Sequence, residues 1–223
     1  MYRIKKINNK TVYYSSLLDI EHFFTTRELI VKENINEISK YLNIKKENFI
    51  HPKQVHQDTI EFVEENKKEY VCDALILNKK NFAIYLNFAD CTPIIFYDIK
   101  QKIAAIAHAG WRGCALKIAP KTVMKMNSNP KDIIALIGPA ISFDCFETSN
   151  EAIEKLYSTV KNSNGLFNKN YADLKGINKR QLEEIGVEKF DIMPFCTVKD
   201  NDKFFSYRKE NKTSLRHSAV VKL

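Results

Sequence analysis

Pro93-Ile-Ile-Phe-Tyr-Asp98 and Lys102-Ile-Ala-Ala-Ile-Ala-His108 stand almost back to back in the middle of the chain. Both runs are short, apolar and rich in residues that suit a sheet. They read as two buried strands joined by a tight turn at Asp98–Gln101. Ile133-Ile-Ala-Leu-Ile-Gly138 reads as a third buried strand. Upstream, strands are expected at 2–7, 11–15, 22–26, 48–51, 58–63, 73–78 and 82–88, with a helix at 35–43 on Ile35, Ile38 and Leu42. Downstream, 113–126 has helical periodicity with a break expected at Pro120. Helices are expected at 149–161 and 178–185, strands at 189–194 and 203–207, and a last apolar piece at 218–223. The elements mix without a regular βαβ rhythm. The expected class is α+β, a layered α/β sandwich with mixed sheets, in a single domain over 1–223.

The chain has 223 residues, 44% of them apolar and 28% charged, which suits a globular core and excludes a disordered or fibrous chain. No apolar run reaches the ~18 residues of a membrane span. The start, Met1-Tyr-Arg-Ile-Lys-Lys6, lacks the apolar stretch of a secretion signal. Five cysteines, odd in number and with no C-x-x-C pair, read as reduced thiols in a cytoplasmic protein. The net charge of +8 is spread as lysine among glutamates, with no nucleic-acid motif beside it. Neither a nucleic-acid nor a membrane partner is expected, and the chain should be a monomer or a homodimer.

The scarce residues are more informative. Of the 35 basic residues only six are arginine, and glycine occurs six times. Gly110 and Gly113 flank Trp111-Arg112, and Gly138 precedes Pro139. Gly110 and Gly113 imply a loop with positive φ or close backbone approach. Where lysine is the default cation, Arg27, Arg112 and Arg208 suggest planar recognition of phosphate or carboxylate. His56, Cys91 and His108, each at the end of a strand candidate, form a possible His₂Cys metal set. Three protein ligands leave a position open, as in catalytic zinc sites. Taken singly, a cysteine beside an apolar strand is usually a small buried hydrophobe, and a lone histidine is usually structural. Cys91 and His108 also suit a metal-free nucleophile–base pair.

In chain order, Gln54-Val-His56, Asp73-Ala-Leu75, Ala89-Asp-Cys-Thr-Pro93, His108-Ala-Gly-Trp-Arg-Gly113, Gly138-Pro-Ala-Ile141 with Cys145-Phe-Glu147, and Phe205-Ser-Tyr-Arg208 closely resemble the YfiH-like family. That family was long labelled multicopper polyphenol oxidase, or laccase-domain. The resemblance implies a layered α/β fold, related in outline to toxin deamidases with a Cys–His site. It implies zinc on His56, Cys91 and His108, with copper as a possible substitute. It also implies phosphorolysis of adenosine, inosine, guanosine and methylthioadenosine, and deamination of adenosine. Purine nucleosides and inorganic phosphate are then the partners. The alternatives are a peptidoglycan editing factor that hydrolyses a misplaced amino acid from a cell-wall precursor, and a copper-dependent polyphenol oxidase. On this reading Arg112, Asp90 and Gln54 are catalytic candidates. Arg27, Arg112 and Arg208 bind phosphate, and Asp73 supports a ligating histidine. Phe88 and Phe143 are candidates for stacking on the base. Two departures stand out: Phe23 follows His22 where the family has glycine, and Thr213-Ser-Leu-Arg216 replaces Thr-Gly-Arg.

Overall fold

A computed structural model describes every residue except Asn66 and Lys68. The two central runs form β8 (Thr92–Asp98) and β9 (Ile103–Ala109), antiparallel and in register from Thr92↔Ala109 to Asp98↔Ile103. The turn closes as expected. Asp98 Oδ1 accepts from the N–H groups of Lys100 and Gln101, both at 2.8 Å.

These two strands are the middle of a six-stranded sheet. It runs β13 (Lys189–Ile192), β10 (Ile133–Ile137), β8, β9, β6 (Ala74–Leu77), β5 (Ile60–Phe62). The second sheet runs β1 (Tyr2–Ile7), β2 (Lys10–Ser15), β3 (His22–Thr25), β14 (His217–Lys222), β7 (Ala83–Phe88), β4 (Phe49–Ile50). Both sheets are mixed: β10–β13, β5–β6 and β4–β7 are parallel and the other pairs antiparallel. A small hairpin, β11 (Phe167–Asn168) with β12 (Tyr171–Ala172), lies outside them.

Side-chain alternation explains the layers. From β8, Ile95 and Tyr97 point between the sheets, where they meet Leu86, Phe88 and Phe24. Ile94 and Phe96 point the other way, onto α3 (Ile118–Lys125) and α5 (Leu174–Glu184). On the far side, Phe23 and Tyr85 pack against α1 (Ile35–Tyr41). A fourth cluster joins α2 (Trp111–Ala115), α4 (Asn150–Tyr157) and α5. The architecture is α+β with two facing mixed sheets, and no helix among the described residues is long and apolar enough to cross a membrane.

Two expectations need correction. The 113–126 helix is broken before Pro120, at Lys117, whose φ of 59° ends α2 and starts α3. Pro120 lies in the first turn of α3, where a missing N–H costs little. The strand expected at 203–207 is a run of turns. Its aromatic residues are there for packing: Phe204 fits among Tyr13, Phe195 and His217, and Phe205 lies under the Arg27 guanidinium.

Candidate metal centre and substrate pocket

The ligand atoms of His56, Cys91 and His108 all lie within 4.8 Å of one another. They arrive by three different routes. His108 follows Ala104 and Ile106 on the inner face of β9, so strand alternation carries it to the space between the sheets, against Phe88. Cys91 sits in the turn where the chain leaves β7 in one sheet for β8 in the other. His56 is in the loop from β4 to β5, a second crossing between the same sheets. It does not end a strand: its φ is 60° and its side chain is exposed.

Asp73 holds this geometry. It is fully buried, and one carboxylate oxygen lies 2.8 Å from His108 Nδ1. The same carboxylate accepts N–H groups of Val55 (3.2 Å), His56 (3.0 Å) and Gln57 (2.8 Å). Burial would raise its pKa, but the His108 contact and these donors bring it below the ordinary carboxylate value. Asp73 therefore orients one histidine by its ring and the other by its backbone. His108 keeps Nε2 free to face the cluster.

Burial also opposes a charged Cys91, yet the neighbouring His108 and His56 overcome it and hold the thiol down at about 6. In turn the Cys91 sulfur, with Asp73, raises His108 to about 9 against the effect of its own burial. A thiolate and two oriented imidazoles are the donor set of a His₂Cys zinc site. Gly110 completes the cradle: a Cβ there would come within 2.8 Å of Cys91 Sγ. Its φ is −64°, so close approach, not positive φ, is what requires glycine. The residues present fit a bound metal ion.

The cluster forms one wall of a cleft of about 750 Å³. Arg112, Arg208 and Arg216 line it, together with Trp111, Phe146 and Tyr207. None of the three guanidiniums is paired with a carboxylate among the described residues. Arg112 lies over Trp111 at 4.4 Å. Arg208 donates to the Glu147 carbonyl at 2.8 Å and, more weakly, to that of Cys145 at 3.4 Å. Arg216 donates to the Leu215 carbonyl at 2.7 Å and to that of Thr213.

Other sequence candidates are placed differently. Arg27 does not reach the cleft: its guanidinium is 2.9 Å from Glu210 and stacks on Phe205, closing the 201–210 turns. Gln54 lines the cleft, but its amide donates to the Asn87 carbonyl (3.0 Å) and accepts the Asn87 N–H (2.8 Å). It extends the β7 edge and anchors the His56 loop. Asp90, at φ 81°, accepts from Thr197 Oγ1 and from the Arg208 N–H, both at 2.6 Å. It ties the Cys91 turn to the segment that carries Arg208. Phe88 is buried behind His108, and Phe143 is not part of the lining. Sequence reading gave no role to Phe146 and Tyr207, though both lie inside quoted motifs, nor to Thr197, which lies in none of them.

A family model described as multi-copper polyphenol oxidoreductase laccase matches residues 13–223. A purine nucleoside phosphorylase of Clostridium acetobutylicum is 30% identical over 195 residues, covering 85% of this chain and 82% of that protein. A protein from an unknown prokaryotic organism, named adenosine deaminase RL5, is 29% identical over 193 residues, 77% of this chain and 74% of its own. The crystal structure of the Bacillus licheniformis hypothetical protein YfiH superposes with a TM-score of 0.88 at 24% identity, covering 98% of both chains.

Proposed function

The chain belongs to the multi-copper polyphenol oxidoreductase laccase family, whose members include YfiH-like proteins, and on that basis we propose that it is a zinc-dependent purine nucleoside phosphorylase that also deaminates adenosine. The observation that carries the reading is the His56–Cys91–His108 cluster opening onto a cleft with three arginines free of carboxylates. Inorganic phosphate suits such a cleft, because planar guanidiniums recognise its oxygens bidentately. Zinc on His56, Cys91 and His108 would supply Lewis acidity next to the substrate.

The chain's own residues do the rest. Arg112, Arg208 and Arg216 hold the attacking phosphate, and Trp111, Phe146 and Tyr207 flank the nucleoside and exclude water. Phosphate attacks C1′ as the bond to the base lengthens, and the bonding pair leaves with the base. Positive charge develops on the ribose, as in glycoside hydrolysis, and the dianion held by the arginines stabilises it. Asp73 keeps His108 in one tautomer, and Asp90 fixes Arg208 relative to Cys91. Both act as positioning residues. Arg27 has no part in this assignment.

A multicopper oxidase fits less well. Only two of the five histidines reach the cluster. His22 bonds the Ser15 N–H and faces the Ile20 carbonyl, His51 faces the Pro52 carbonyl, and His217 is enclosed among aromatic rings.

The test is metal analysis combined with a nucleoside panel, assayed with and without phosphate. About one zinc per chain is expected. Phosphate-dependent release of free base should accompany it, and Cys91→Ala should lose both. Full turnover by metal-free protein, or turnover confined to cell-wall precursors, would overturn the assignment.

A further inference from the structure

Residues 197–216 form neither helix nor strand, yet they supply Tyr207, Arg208 and Arg216 to the cleft. A segment with no strand ladder of its own needs other bonds to hold its side chains in place. Within it, the loop from Ser206 to Glu210 is closed on itself. The Ser206 N–H donates to Glu210 Oε2 at 2.8 Å, and the Glu210 N–H returns to the Ser206 carbonyl at 3.0 Å. The Lys209 N–H adds a bond to Ser206 Oγ at 3.1 Å. Ser206, at the base of the loop, is buried, whereas Tyr207 and Arg208, at its tip, are exposed and line the cleft. At that tip the Arg208 N–H meets Asp90 Oδ2, one residue before Cys91, at 2.6 Å.

Glu210 joins this loop to the rest of the fold. Its Oε2 also accepts from Asn201 Nδ2 at 3.0 Å, and its Oε1 accepts from Arg27 Nη1 at 2.9 Å. Arg27 stands just past β3 in the second sheet. Its N–H donates to the Lys203 carbonyl at 2.8 Å, and its guanidinium donates to the Asn201 carbonyl at 3.2 Å and lies 4.3 Å from the centre of the Phe205 ring. Both oxygens of one carboxylate are therefore in use, one toward the second sheet and one toward the loop. Burial would raise the Glu210 pKa, but the Ser206 N–H, Asn201 and Arg27 bring it below the ordinary carboxylate value. Bound in this way, Glu210 neutralises Arg27 and not Arg208, two residues away in the same loop.

We propose, resting on the assignment of phosphate to the cleft arginines, that Glu210, braced by Arg27, is a positioning residue that fixes the Ser206–Glu210 loop so that Arg208 meets phosphate beside the Cys91 turn. Arg27 acts only through Glu210 and touches no substrate. Removing either partner loosens the loop at its base, and the displacement reaches Arg208 at the tip. Loss of Arg27 also frees a carboxylate to compete with phosphate for the Arg208 guanidinium.

Glu210→Gln keeps the size of the side chain but leaves one acceptor oxygen where two are used. Arg27→Met removes the guanidinium and keeps an apolar chain over Phe205. Hydrogen exchange should show the Ser206 and Arg208 amides about tenfold faster in Glu210→Gln, with those of β7 and β14 unaltered. In phosphorolysis, KM for phosphate should rise about tenfold, and KM for the nucleoside should change less, because Trp111 and Phe146 lie on other segments. Zinc content should hold. Arg27→Lys, which keeps a donor for Glu210, should recover part of what Arg27→Met loses. The double variant Glu210→Gln/Arg27→Met should be no worse than the worse single variant, because both act on one loop. Unchanged exchange in Glu210→Gln, faster exchange with an unchanged KM for phosphate, or additive losses in the double variant each overturn the proposal and leave the phosphorylase reading intact. Wild-type protein that releases no base with phosphate overturns that reading, and the phosphate role given to Glu210 falls with it.

Discussion

Asp73 carries more of the site than its one-letter context suggests. Its carboxylate is shared between the His108 ring and three consecutive N–H groups of the His56 loop. Asp73→Asn preserves the shape but replaces an acceptor oxygen with an amide and removes one of the two charges, after that of Cys91, that make His108 basic. Zinc affinity should fall by roughly 10–100-fold, the usual cost of losing such a partner. Competition with a chromophoric chelator measures it, and an unchanged affinity would show that Asp73 serves the fold alone. Gly110→Ala tests the cradle from the other side. Its Cβ would displace Cys91 Sγ, so zinc retention should fall while the helices and sheets persist by circular dichroism. The metal-ligand candidates were readable as residues because cysteine and histidine are rare and each stands inside a short, distinctive motif. The arginines were less readable. Arg27 and Arg216 look alike in the chain, and only their neighbours separate them: a Glu210 carboxylate for one, backbone carbonyls at the cleft for the other.

At the scale of elements, the decisive features are the two crossings between sheets. β4 to β5 delivers His56 and β7 to β8 delivers Cys91, while β9 brings His108 from within one sheet. Strand existence was legible from apolar runs and alternation in β8, β9 and β10. The 203–207 segment shows the limit of that signal. Buried Phe204 and Phe205 mimic a strand because local pattern reports burial, not backbone pairing. The Pro120 break was misplaced by three residues for a related reason: a proline in a first helical turn is compatible with the helix it was expected to end. Sheet-to-sheet spacing also rests on one small residue. A Cβ on Gly138, at the end of β10, would stand 2.3 Å from the ring of Phe24 in β3, which is fully buried. Gly138→Ala should therefore cost roughly 1–3 kcal/mol by overpacking. In a chain of this size that is a melting-point fall of about 2–4 °C per kcal/mol, readable by calorimetry.

Over the whole molecule, the core between the sheets encloses a histidine that the site does not use. His217 is fully buried among Phe88 and Phe204, and neither ring nitrogen has a hydrogen-bond partner among the described residues. Burial pushes its pKa down to about 3, against a weaker upward influence of the Pro139 carbonyl. The unfolded chain then binds a proton that the folded chain refuses. This contribution to stability is complete above the ordinary histidine value of 6.5 and is lost as pH falls toward about 3. Asp73, also depressed, works in the same direction at lower pH. His217→Leu, close in volume and unable to charge, should flatten the decline in melting temperature between these limits. An unaltered acid profile would remove His217 from the account.

The α+β class, the three metal-ligand candidates and the family were legible in the chain, because apolar alternation and rare residues in short motifs are local properties. Which cations face the cleft, and that Gln54 and Asp90 hold backbone, came from the packing of distant segments. Those outcomes depend on distances between segments up to 118 residues apart, as in the Asp90–Arg208 contact. Such separations are set by how two sheets pack, and no local pattern encodes them.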